Sequence, residues 1–368
     1  MPIFMDRHDV PGSITSEDVA HIHQQDLKVQ HKFGCRALSY WFDEKRNKAF
    51  CLVEAPDRES MVSMHEHAHG QVPNKVIEVE ETLLESFLGT LEHPDHAKGE
   101  GLFVNHDPPE RTIMVVNIKI SSFKKSSFES LQKSLESCNQ ITIKVINNYE
   151  GNIVRHQNDC FLISFVSVTN AVSCALKIQS AFNTLREADI RLKIGINTGI
   201  PVTDKDQLFE TAINLAERIC TMTKEQIVVS SEVKDLYKSE NLNVFVDSKL
   251  ISVLHPSDEE FLDLLMDFVD KSWKDPLLKV EDFGKHLGYS KSQLYRKMVS
   301  LTGKSPNTLI KDYRLNEAIN LLNKQRGNVS EIAFETGFNS PAYFSKCFAE
   351  TYGMLPSDYV KQVSIFHN

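Results

Sequence analysis

No run of the 368 residues is apolar for long enough to span a bilayer. The opening residues, MPIFMDRHDV, lack a basic segment leading into an apolar core, so a secretory leader is not expected. The seven cysteines (Cys35, Cys51, Cys138, Cys160, Cys174, Cys220 and Cys347) are odd in number, scattered, and never spaced C-x-x-C. That argues against a disulfide framework and fits free thiols in a reducing cytoplasm. The formal charge is −9. The length predicts two to four domains, and the composition is that of an ordinary globular protein.

What is present is concentrated near the C-terminal end. Between about Lys279 and Val360 one grammar occurs twice. A short amphipathic helix (Val280, Phe283, Leu287) stops at Gly288, and a second helix carries apolar Leu294, Met298 and Leu301. The second copy has Val329, Ile332 and Ala333, a stop at Gly337, then Ser340, Phe344 and Phe348. Helix, Gly-containing turn, helix is the helix-turn-helix pattern. A longer helix, about Thr308 to Asn323, joins the copies. From Pro276 onward twelve Lys and Arg stand against eight Asp and Glu, a basic region on an acidic chain. The N-terminal residues of each second helix are the candidates for base edges in a major groove: Ser292, Gln293, Tyr295 and Arg296, then Asn339, Ala342, Tyr343 and Lys346. The partner expected is double-stranded DNA.

Arg314, Ala318 and Leu321, then Ile332–Ala333, Gly337–Phe338, Tyr343–Phe344, Phe348, Gly353, Pro356 and Tyr359 carry a further signal. With these residues the segment 257–364 resembles the DNA-binding domain of AraC/XylS transcription regulators. The second reading helix departs from that family's pattern at Pro341 and Ala342, which implies more phosphate positioning than base readout there.

Residues 1–80 predict the order βαββαβ: a strand at Pro2–Met5, a helix from Ser16 stopped by Gly34, a hairpin of Ala37–Phe42 with Ala49–Glu54, a helix capped by Asp57, and a strand at Lys75–Val79. This is a ferredoxin-like unit. Its chemistry lies in histidines. His65 and His69 share one helix face, and the end of the first strand should bring His8 to the edge where His21 or His23 begins the first helix. Imidazoles suit Ni, Zn or Cu, and Asp26 can orient a ligand from behind. Thiolates are expected to be sparse there, since Cys35 and Cys51 fall in the hairpin. The alternative is a set of surface histidines at helix ends. MDRHDV, YWFDEK, AFCLVEAPD and HAHG make the unit similar to a small ferredoxin-like family described as nickel-binding, which implies a transition-metal site of a kind that two chains of a dimer can share.

Residues 81–110 read as an acidic, turn-rich linker with one short helix. Strands and helices then alternate through 111–254, indicating an α/β sandwich. GNIVRHQNDCFLISF, RLKIGINTGIPV, TAINLAERI and QIVVSSEV resemble the class III adenylate/guanylate cyclase domain. That resemblance implies two metal-binding aspartates, a purine-selecting pair and a transition-state pair. The first aspartate's position holds Asn117. The second is Asp159. Arg155 and Gln207 stand at the purine pair, Glu210 replaces a glycine, and Asn214 and Arg218 keep the transition-state pair. A degenerate, non-catalytic domain follows, which keeps the fold and supports a homodimer.

The expectation is therefore a multidomain α/β (α+β) chain, cytoplasmic and away from membranes. It would be a one-component transcription regulator whose first two domains sense a metal, a nucleotide or another small molecule. The alternative is an active nucleotidyl cyclase fused to a DNA reader.

Overall fold

Strand β1 (Ile3–Asp9) sits at the centre of a four-stranded antiparallel sheet of order β2-β3-β1-β4, with β2 at Arg36–Asp43, β3 at Lys48–Glu54 and β4 at Lys75–Val79. The computed structural model describes residues 1–89, 107–123, 128–157, 159–185, 189–224, 226–241 and 250–366. Most of the acidic linker and Asn158 lie outside them. Two helices cover one face of the sheet, α1 (Ser16–Val29) and α2 (Arg58–His69). The ferredoxin-like order is as expected. The cap of α1 is Thr15 rather than Ser16, because Thr15 and Asp18 close a reciprocal capping box. Strand β1 runs four residues past Met5, since Asp6, Arg7, His8 and Asp9 continue the ladder with β3 and β4.

The linker's apolar patch forms helix α3 (Glu81–Leu88), which buries Leu84 and Phe87. A second, six-stranded sheet follows. Its strands are β5 (Arg111–Ile120), β6 (Asn152–Gln157), β7 (Cys160–Phe165), β8 (Ile190–Gly199), β9 (Ile227–Val229) and β10 (Ser252–Val253), in the order β10-β9-β8-β5-β7-β6. Helices α4 (Phe128–Asn148), α5 (Val168–Leu185) and α7 (Ser231–Glu240) pack on one face. The other face takes α6 (Glu210–Met222) and, beside it, the uncovered face of the first sheet. Met5, Trp41, Phe50 and Leu52 of the first sheet share one core with Ile113, Val115 and Leu162 of the second. Both sheets are thus buried on both faces, and ion pairs rim the contact: Arg7 to Asp204 at 2.9 Å, Lys75 to Asp206 at 2.7 Å, and Arg46 to Glu110 at 2.5 Å and to Glu232.

The C-terminal region is all helical: α8 (Pro256–Ser272), α9 (Val280–Leu287), α10 (Lys291–Thr302), α11 (Pro306–Asn323), α12 (Val329–Glu335), α13 (Pro341–Tyr352) and α14 (Pro356–Phe366). Helix α8 packs on α6 through a core that runs into α9, α10 and α11. Phe128 at the start of α4 enters the core of α11 to α14, and Phe123 N donates to Tyr352 O at 2.7 Å. No helix among the described residues is long and apolar enough to cross a membrane.

Candidate metal centre and nucleic-acid interface

The pleat of β1 sorts its side chains by parity. Phe4 faces α1 and α2, and so do Asp6 and His8; Met5 faces the second sheet. The same parity in β3 turns Ala49, Cys51 and Val53 toward the helices. His65 and His69, one turn apart on α2, close over this face, and His23 and Asp26 come in from α1. Asp6, Asp26 and His65 are fully buried, and His8 and His23 nearly so.

The distances are those of a shared centre. His65 lies between two carboxylates, Nε2 2.9 Å from Asp6 Oδ2 and Nδ1 3.1 Å from Asp26 Oδ1. His8 Nε2 is 3.2 Å from the same Asp6 oxygen, and His69 Nε2 is 3.3 Å from Asp26 Oδ1. Asp6 Oδ1 accepts the backbone N–H of Cys51 at 2.8 Å. Three overlapping donor groups result: Asp6, His8, Cys51 and His65; Asp26, His65 and His69; and His23, Asp26 and Cys51, each with ligand atoms within 4.8 Å of one another. Asp26 Oδ2 and His23 Nδ1 are buried without a hydrogen bond. Buried polar atoms without partners are rare in proteins, so this pocket has donors to spare for a cation.

Electrostatics divide the histidines. Burial opposes charge on His65, but Asp6 and Asp26 outweigh it and raise its pKa to about 10. Burial alone dominates at His23 and pulls it down to about 4. Burial works against the Asp6 carboxylate too, yet His8 and His65 hold it well below the usual range. Burial, then the nearby Asp6 and Asp26, pushes the Cys51 thiol up.

The expected histidines His8, His23, His65 and His69 therefore meet, beneath the sheet rather than at its exposed edge. His21 does not: two residues before His23 on a helix, it points to solvent. Asp6 and Cys51 join the donors although the sequence reading left them out. The expectation of few thiolates fails at Cys51, because β3 pairing with β1 brings its side chain beside Asp6. The parity of HD and DRH along β1 was the available signal.

In the second region, Ser290 caps α10 and Ser340 caps α13. Gly288 and Gly337, at φ 73° and 78°, make the turns before them. Leu294 and Met298 of α10 and Phe344 and Phe348 of α13 face inward, which turns the opposite faces out. Ser292, Gln293, Tyr295, Arg296, Asn339, Ala342, Tyr343 and Lys346 are all exposed. Asn339 Nδ2 donates to Pro276 O at 3.3 Å, and Arg314 donates to the carbonyls of Trp273 and Asp275 at 2.7 and 2.6 Å. The turn after α8 is thereby pinned between the two units.

The residues matched to a nucleotide site are otherwise engaged. Arg218 reaches Asp263 and Asp267 of α8, each at 2.5 Å, and Arg155 reaches Glu217 at 2.7 Å. Asp159 accepts from Asn139 at 2.7 Å, and burial raises its pKa. Asn117 lies mid-ladder between Cys160 and Lys193, Gln207 is exposed with its N–H on Glu210, and Asn214 is partly buried on α6. Glu210 folds back onto the loop before its own helix.

Residues 283–362 match the family model described as a helix-turn-helix domain, and residues 4–79 match one described as nickel responsive protein SCO4226-like. The AraC-type reading of the C-terminal segment and the likeness of the first segment to a nickel-associated family are both borne out. Over 107 residues the chain is 35% identical to histidine kinase P4 of Formosa agariphila, covering 29% of this chain and 8% of that protein. It is 32% identical to the HTH-type transcriptional regulator YdeC of Bacillus subtilis, covering 24% and 30%. The solved structure of SCO4226 from Streptomyces coelicolor is 32% identical, covers 21% of this chain and 94% of its own, and gives a TM-score of 0.20. The chain spans less than half the length of the curated relatives it matches.

Proposed function

We propose that the chain is a sequence-specific DNA-binding transcription regulator whose reader is biased by a metal held in its first domain. The carrying observation is the pair of capped helices α10 and α13, each with an exposed N-terminal face in a segment matching a helix-turn-helix family. A helix of that kind fits a major groove. Supporting the metal half are the buried donors His8, His65, His69, Asp6, Asp26 and Cys51 and the nickel-responsive likeness of residues 4–79. A divalent transition metal there, nickel foremost, is what imidazole, carboxylate and thiol donors suit. The test is selection of bound sequences from a random DNA pool, with and without Ni²⁺. Enrichment of one sequence that changes in yield with Ni²⁺ is expected; no enrichment rejects the reader, and enrichment indifferent to metal rejects the sensor.

The expected homodimer belongs to the same proposal. The second sheet covers the face of the first sheet turned away from α1 and α2, so that face is not the dimer contact in this reading. The middle domain serves in this reading as the connector between sensor and reader. Arg218 supports it, since its guanidinium holds α8 in place of a triphosphate. Incubation with ATP or GTP and Mg²⁺ or Mn²⁺ should give no cyclic nucleotide above background. Product that vanishes in Arg218→Ala would restore the cyclase alternative.

A further inference from the structure

We propose that Gln293 reads guanine, because helix capping leaves its side chain able only to donate. The inference rests on α10 being a DNA-reading helix. Gln293 is the third residue of α10 and closes a reciprocal box with Ser290. Its Oε1 accepts the backbone N–H of Ser290 at 3.1 Å and the Ser290 hydroxyl at 2.7 Å. A backbone N–H can only donate, so the amide atom facing it must be the oxygen. An amide oxygen has two acceptor sites, and both are taken. What Gln293 offers outward is Nε2 with its two N–H groups, on an exposed residue.

Glutamine commonly recognises adenine by accepting from N6 while donating to N7, which needs both amide atoms. Here the acceptor is spent inside the protein. Guanine offers N7 and O6, both acceptors, side by side in the major groove, and two N–H groups match them. Adenine puts its N6 donors where a donor-only side chain cannot satisfy them. The second unit has no counterpart, for the third residue of α13 is Tyr343, which returns no side-chain bond to Ser340.

The test compares sequences selected from a random DNA pool by the full chain and by Gln293→Glu. Glutamate at the third position preserves a capping box, so thermal unfolding should be unchanged, while the two N–H donors are lost. The wild-type chain should select guanine at one position of the site, and Gln293→Glu should lose discrimination at that position alone, by about tenfold or more, the size of a good base-edge contact. Adenine at the position that the variant alters would overturn the inference. So would an unaltered selection by Gln293→Glu, which would leave Gln293 a helix cap alone. A chain that enriches no common sequence overturns the DNA-reading proposal itself, and this inference with it.

Discussion

At the scale of single residues, His65 and His23 respond to pH in opposite directions. His65, raised to about 10, lends the metal-free fold stability that is complete below its ordinary pKa of 6.5 and is lost as pH climbs toward 10. His23, lowered to about 4, lends stability that is present above 6.5 and is lost as pH falls toward 4. Thermal melts of metal-free chain should therefore peak near pH 6.5, and His65→Asn should flatten the alkaline arm. A metal needs the lone pair that the His65 proton occupies, so binding at pH 7 should release a proton. Calorimetry in two buffers of different ionisation heat measures this; equal heats would remove His65 from the ligands. On the DNA side, Arg296→Ala should cost about 1–3 kcal/mol of specific binding. Lys346→Ala should weaken all sequences alike and lower the salt slope by about one. Filter binding over a salt series separates the two. The histidines were legible because i and i+4 on a helix fix a shared face. Cys51 was not, because only the strand register decides which way a hairpin residue turns.

At the scale of elements, α6 is held against β8 by a close approach at Gly195. A Cβ there would come within 2.3 Å of Ala216 O and 2.6 Å of Cys220 N, both helix backbone. Gly195→Ala should cost about 1–3 kcal/mol, the range for overpacking a tight contact, read as a lower denaturant midpoint. A midpoint within error of wild type would show that α6 can slide. Most elements were legible from apolar periodicity and caps, β4 to the residue. Helix α8 was missed, since its acidic residues (Asp258, Glu259, Glu260, Asp263, Asp267 and Asp270) mask a buried stripe of Phe261, Leu262, Leu265, Met266 and Val269. Strand β10 has two residues, too few for alternation to register.

At the scale of the molecule, the first sheet borrows half its core from the second. Trp41, Phe50 and Leu52 are each buried against it, and each large apolar side chain so covered contributes about 1.5–3 kcal/mol. Residues 1–80 alone should expose that face and self-associate. Sedimentation should find the fragment larger than a monomer, and the emission of Trp41, its single tryptophan, should depend on concentration. A well-behaved monomer with blue-shifted Trp41 would show that the face is stable in water. Each sheet's own order was legible from alternation. Their stacking was not, because both faces of a two-sided strand read alike in a sequence.

Strand β1 gives this architecture a genetic consequence. His8 and Asp6 point one way, into the histidine cluster; Met5 points the other, into the core between the sheets. Inserting or deleting one codon ahead of Met5, with the start of the strand held in register, would turn each following residue of β1 to the opposite face. Met5 would enter the histidine cluster, and the buried Asp6 carboxylate and His8 imidazole would be pressed into the apolar seam. Point substitutions in β1 can thus be graded in effect, whereas a single-codon length change should abolish both the cluster and the seam in one step.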